Sequence, residues 1–194
     1  MARYAYDGET VTLYLTNNDV DLLGSLTEQL IEMLGDGLPE PVEDADPFVR
    51  WAAELSEPAA ADLDAEADAL TDPAMQRLFP NPYPHDPRAA ADYRRYAEVD
   101  HRRHKLDDAY TVRATLTGGL PVRITELQVA AWLKTLNALR LVLATRLGLD
   151  DEDAIDEFHE LPEDDPRILM GAVMDWLAYL QGVIIELTEP GLED

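Results

Sequence analysis

The sequence predicts a mainly α protein, a single-domain helical bundle with a small N-terminal β-hairpin. Three observations carry that prediction. Leu22, Leu23, Leu26, Leu30, Met33 and Leu34 recur at helical spacing, and two later segments are apolar over helical lengths. Asp-Pro occurs at Asp46-Pro47, Asp72-Pro73, Asp86-Pro87 and Asp165-Pro166. Each pair reads as a helix start, because Asp accepts the free N–H groups of a first turn and Pro at N1 has no donor to leave unpaired. Finally, "RYAYDGETVTLYL" alternates with period two around Asp7-Gly8, the mark of a hairpin. At 194 residues and 46% hydrophobic, the chain is long enough for one domain to bury a sizeable core.

The elements follow in order. Tyr4 and Tyr6 are expected on one side of the hairpin and Val11, Leu13 and Leu15 on the other, with Asp-Gly supplying the positive φ values of a two-residue loop. Two strands alone are marginal in water, so the hairpin must lean on helices or on another chain. The first helix takes its cap from Thr16, Asn17 or Asn18 and its stop from Gly35. An acidic, loop-rich region spans about 36–72, broken by the short helical piece "DPFVRWAAEL". Core helices are expected over about 87–117, 125–147 and 166–188, within one domain covering 1–194. The second begins with a capping box, Thr125 and Gln128, and ends at Gly148. Its polar stripe, Lys134, Asn137 and Arg140, is narrow, which makes it the central helix. "DDEDAIDEFHELPEDD" has ten acidic residues in sixteen and reads as a solvated loop. It lacks the glycine and ligand alternation of an EF-hand. The last helix is apolar nearly all round, but Asp175 near its middle would cost about 2.5–3.5 kcal/mol in a bilayer centre. It therefore reads as a buried core helix, with Trp176 and Leu180 inside, and not as a membrane span.

Charge narrows the function classes. With 15 Lys+Arg against 40 Asp+Glu the formal charge is −25, which argues against nucleic acid and anionic membrane as partners. No cysteine is present, so disulfides, cysteine-type zinc sites and thiol nucleophiles are excluded. The N-terminal "MARYAYDGET" has no apolar stretch of the secretory type, and a cytoplasmic location is expected. The cations gather in one place. Between Arg77 and Arg123 lie nine of the 15, against six acids, for a local +3. In "DHRRHK" six polar residues run together, so this part of the helix has nothing to anchor in a core. Arg94, Arg95, Arg102 and Arg103 are the expected exposed face on which an acidic protein partner docks, since arginine suits planar bidentate contacts. The opposing reading has the same cations bridging to acidic loops of their own chain.

Two candidate sites for chemistry remain. His101, His104 and Asp108 stand at i, i+3 and i+7, so one helical face can present two imidazoles and a carboxylate to a metal ion. Arg102, Arg103 and Lys105 crowd that face, so the expectation is no metal and no cofactor, with a metal-dependent enzyme as the alternative. Asp175 would be an acid or base if buried among Met174, Trp176 and Leu177, although a hydrogen-bonded structural aspartate is the preferred reading. The chain has no HExxH, Gly-rich phosphate loop or GxSxG turn.

With "DPAMQRLFPNPYPHD", "ELQVAAWLKTLNALRLVLATRLG" and "MDWLAYLQGVIIEL" in this order, the chain resembles an actinobacterial family of unknown function, the one that includes the oxidative-stress regulator AosR. The resemblance covers nearly the whole chain and rests mostly on core helices. It implies a mainly helical cytoplasmic regulator or adaptor without catalytic residues. That protein would work through protein–protein contact in a stress response, with a sigma-factor-like partner, and self-association is a further option. A thiol redox switch does not come with it, because there is no cysteine to carry one.

Overall fold

The computed structural model describes residues 3–38, 72–149, 151–162 and 164–188. The Asp46-Pro47 helix start and most of the acidic region lie outside those residues. The expected mainly α class holds: long helices enclose one apolar core beside a small antiparallel sheet.

Strand β1 (Arg3–Tyr6) pairs with β2 (Thr10–Tyr14), as the alternation predicted. The loop differs from the expected one. Asp7 donates its N–H to Thr10 O at 3.4 Å, so Gly8 and Glu9 form the tip, and Gly8 takes φ +99°. Asp7 contributes its carboxylate instead of a positive φ, with Oδ1 accepting from Glu9 N at 3.0 Å and Thr10 N at 2.7 Å. The register sets Tyr4 opposite Leu13 and Tyr6 opposite Val11. Directly opposed residues share a face, so the tyrosines join Val11 and Leu13 instead of lying on the other side. A third strand, β3 (Val122–Thr125), extends the sheet to the order β1-β2-β3 and answers what the hairpin leans on. Its Val122 and Ile124 sit opposite Leu13 and Val11, and all four are buried.

Helix α1 (Asn17–Gly35) starts from a capping box in which Thr16 Oγ1 accepts from Asp19 N and Asp19 Oδ2 accepts from Thr16 N. Three Asp-Pro pairs launch helices as read: α2 (Pro73–Leu78), α3 (Pro87–Tyr93) and the last helix. Past α3 the helix does not break. It widens into a π-helical turn over Arg94–Glu98 and returns to α geometry as α4 (Val99–Thr117). Gly119, at φ +94°, turns the chain into β3.

Helix α5 (Glu126–Leu147) is central, as expected, packing on α4, α2, α1 and the last helix, α7 (Pro166–Thr188). Trp132 and Leu136 on α5 are wholly buried and face a core that also holds Leu23, Leu34, Val112, Leu177 and Leu180. Each such side chain contributes about 1.5–3 kcal/mol by leaving water. Between α5 and α7 the expected acidic loop is a helix, α6 (Glu152–His159). Asp151 caps it through Ala154 N at 2.9 Å, and Glu152 and Asp153 suit its positive N-terminal end.

Candidate interaction surface

The basic stretch is built by local rules. Phe79 ends α2 and is buried, Asn81 Oδ1 accepts from Tyr83 N, and Asp86 Oδ1 accepts from both Arg88 N and Ala89 N to open α3. The π-turn then adds a residue per turn and rotates everything after it. That rotation decides where the arginines go.

Arg102 is not part of an exposed face. It is 5% exposed, and its guanidinium reaches the C-terminal end of α1, where the last carbonyls of a helix have no partner of their own. Nε and Nη2 donate to Leu34 O at 3.2 and 2.8 Å, and Nη2 also donates to Asp36 O. A cation at a helix C-terminus is favoured by the helix dipole as well as by these bonds. Burial lowers the Arg102 pKa from its usual value, while Glu98 and Asp36 oppose that shift. Arg103 stays half-exposed and pairs within its own helix with Asp100 at 3.7 Å. Arg94 is half-buried in the π-turn, and the Arg95 side chain lies outside the described residues. Other cations pair with carboxylates of other elements at the surface: Arg113 with Glu28 at 3.1 Å, Lys134 with Asp108 at 3.4 Å and Arg146 with Asp72 at 2.6 Å.

His101, His104 and Asp108 do line one shallow hollow, of about 390 Å³, with Phe79 and Tyr93. One nitrogen of each imidazole, and the carboxylate, already have partners. His101 Nδ1 meets Tyr93 Oη at 3.2 Å, His104 Nδ1 meets Asp100 O at 2.8 Å, and Asp108 holds Lys134. Lys105, which packs 5.8 Å from the Phe79 ring, adds a second cation to the same wall. Among the described residues no three His, Asp or Glu side chains are grouped to hold a metal ion.

A larger cleft, about 480 Å³, lies between α5, α6 and α7 and was not legible in the sequence. Its walls are Leu141, Ile155, Phe158, Ile168 and Met174, and its polar groups are Asn137, Arg140, His159 and Asp175. Gly171 makes the closure feasible: a Cβ there would stand 2.6 Å from Phe158 Cζ. Phe158 thus rests on a bare helix backbone and ties α6 down, although α6 buries no residue fully. Arg140 Nη1 donates to Gln181 Oε1 at 2.8 Å, and Gln181 Nε2 donates to Leu133 O at 3.3 Å, which fixes the guanidinium between the two long helices. Asp175 is exposed, so neither the buried acid–base reading nor the buried structural reading applies to it.

Helix α7 departs from the expected fully buried helix. Leu177, Leu180, Val183 and Ile184 are in the core, but Trp176 is only half-buried. Only 28% of the most apolar eighteen-residue stretch is buried. Ala172, Asp175, Tyr179, Gly182 and Glu186 follow one another at helical spacing, all exposed. Leu169 and Ile185 border this strip at 72% and 38% exposure. In length and composition alone α7 could cross a membrane, yet one side of it is core.

Residues 1–188 match the model of a family described as a domain of unknown function, DUF2017. No curated protein and no solved structure matches the chain.

Proposed function

The chain belongs to the DUF2017 family, and from that premise we propose that it is a non-enzymatic, cytoplasmic regulatory or adaptor protein acting through protein–protein interaction. The observation behind this reading is the outward strip of α7. A helix this apolar leaves Leu169, Tyr179 and Ile185 open among the described residues, beside a cleft whose rim adds Ile155 at 41% exposure. Exposed large apolar and tyrosine side chains are what a protein partner covers. The resemblance to the family of AosR supplies the specific form of the reading, a stress-response regulator with a sigma-factor-like partner. Absence of cysteine removes a thiol switch from that role, so signal input has to come through binding.

The test uses the exposed side chains, where substitution leaves the core intact. Affinity capture from native cytoplasm with the intact chain should retrieve a stoichiometric protein that a Leu169→Glu/Tyr179→Glu variant fails to retain at an unchanged melting temperature. Equal capture by both proteins would remove the Leu169 and Tyr179 surface as the interface, and retrieval of no stoichiometric protein by the intact chain would remove the reading.

A further inference from the structure

We infer that the cleft between α5, α6 and α7 is the seat of a basic amphipathic segment of a partner protein, with the apolar side chains in the cleft and a lysine or arginine on Asp175. The inference rests on the interaction role proposed above and names the chemistry of the occupant.

Shape comes first. A hollow of about 480 Å³ lies in the range of a few large side chains, and its walls, Leu141, Ile155, Phe158, Ile168 and Met174, are apolar. It runs along two antiparallel long helices, so the natural occupant is elongated, a helix or extended strand in a groove. The third wall, α6, is a short helix held through Phe158 on Gly171 and without a fully buried residue, so it can yield to a guest.

Charge then selects the sign of the occupant. Asp175 is exposed in the cleft wall and forms no ion pair among the described residues. The rim helix α6 carries Glu152, Asp153, Asp156 and Glu157, all exposed, against His159 alone. Arg140, fixed by Gln181, is the one permanent cation of the walls, and its Nε has no partner among the described residues. A formal charge of −25 repels an acidic segment and equally a second copy of this chain, whereas it steers a basic one toward the cleft.

The test uses the full chain and three fluorescent peptides of equal length in an anisotropy titration. One is an amphipathic Leu/Lys helix, the second replaces every Lys by Glu, and the third keeps the lysines but replaces every Leu by Ser. The Leu/Lys peptide should saturate, and the other two should bind at least tenfold more weakly. Asp175→Arg should weaken the Leu/Lys peptide roughly tenfold, about 1.4 kcal/mol for one close charge pair. Ala172→Trp, placed at an exposed position of the cleft wall, should abolish binding by filling the space. Full-strength binding by both variants, or by the Ser peptide, would overturn the inference, since attraction would then be diffuse. A dimer in sedimentation that Ala172→Trp dissolves would overturn it too, assigning the cleft to a second copy. The two proposals separate cleanly. Peptide binding blocked by Ala172→Trp, with capture unaffected by Leu169→Glu/Tyr179→Glu, keeps the cleft and discards the α7 strip. Capture that depends on the strip, with no saturable peptide binding, does the reverse.

Discussion

Replacing Arg102 by alanine should cost the fold about 1.5–3 kcal/mol, the net worth of buried hydrogen bonds made by a charged group. The structure supports the upper half of what a single surface-looking residue can contribute. Arg102 is 5% exposed and serves two carbonyls, Leu34 O and Asp36 O, at the end of α1. A bond to a charged group contributes a net of about 1.5–3 kcal/mol, and the helix-end cation adds about 0.3–2. Desolvation of the guanidinium, the cause of its lowered pKa, offsets part of that gain. At roughly 2–4 °C per kcal/mol for a chain of this size, the melting temperature should fall by about 3–12 °C. Arg102→Met keeps the aliphatic stem and isolates the lost bonds, so it should fall slightly less. Arg103→Ala is the control: its pair with Asp100 is exposed, and surface pairs are worth about 0–1 kcal/mol. Circular dichroism melts and urea titration of the four proteins decide the matter. An Arg102→Ala protein melting within about a degree of the parent would refute the cap, since the lost hydrogen bonds alone correspond to about 3 °C or more.

Leu180, wholly buried on α7, should cost about 2–5 kcal/mol as Leu180→Ala by urea unfolding, whereas Leu169→Ala at 72% exposure should stay near zero. Thr135 is 1% exposed and its Oγ1 has no partner among the described residues, so Thr135→Val should leave the melting temperature unchanged or raise it. Asp165 has its pKa lowered to about 2, first by the Arg167 side chain and then by the Arg167 backbone N–H. Because its folded pKa lies below the ordinary aspartate value of about 3.9, its stabilisation is present above that value and lost as pH falls through about 2. NMR titration should find the carboxyl still ionised at pH 3, and Asp165→Asn should flatten the acid limb of the stability curve. Gly171→Ala should push Phe158 aside and loosen α6, read as faster amide exchange over residues 152–159 with α7 unchanged.

The parts of this fold that were legible in the sequence are those written by local chemistry. Asp72, Asp86 and Asp165 before proline, and Thr125 with Gln128, each act within one helical turn, so the chain alone shows them, whereas it left the cap of α1 open among Thr16, Asn17 and Asn18. Strand β3 was not legible because four residues give no periodicity. It exists by pairing with β2, more than a hundred positions away, and that pairing also decides which face the tyrosines take. Helix α6 was hidden by its acids, although Asp151 as a cap and Ile155 with Phe158 at i, i+3 were its signals. Arg102 could not be placed from sequence at all. Its partners are backbone carbonyls of another helix, and a carbonyl carries no residue signature. The π-turn that aims it leaves no mark in the letters "RRYAE" either.

The position of Arg102 also changes the electrostatic argument for a partner. A local excess of cations in sequence implies a positive face only if those cations reach solvent unpaired. Here one closes the end of α1, and Arg103, Arg113, Lys134 and Arg146 each lie beside a carboxylate. Pairing of that kind cancels the far field while leaving the chain's surplus acids, −25 in all, as the charge a partner senses. Exposed carboxylates are spread over the described surface, at Asp21, Glu32, Asp107 and Glu126 among others, and some lie beside the apolar cleft, on α6 and at Asp175 of α7. A partner drawn by that field is basic where it approaches and apolar where it rests. Salt discriminates the two stages. Raising it from 0.1 to 1 M shortens the Debye length from about 10 to 3 Å, so association should slow while dissociation, governed by the buried apolar contact, changes little. Stopped-flow rates for the Leu/Lys peptide measure both. A dissociation rate that climbs with salt as steeply as association falls would place the binding energy in the charges and not in the cleft.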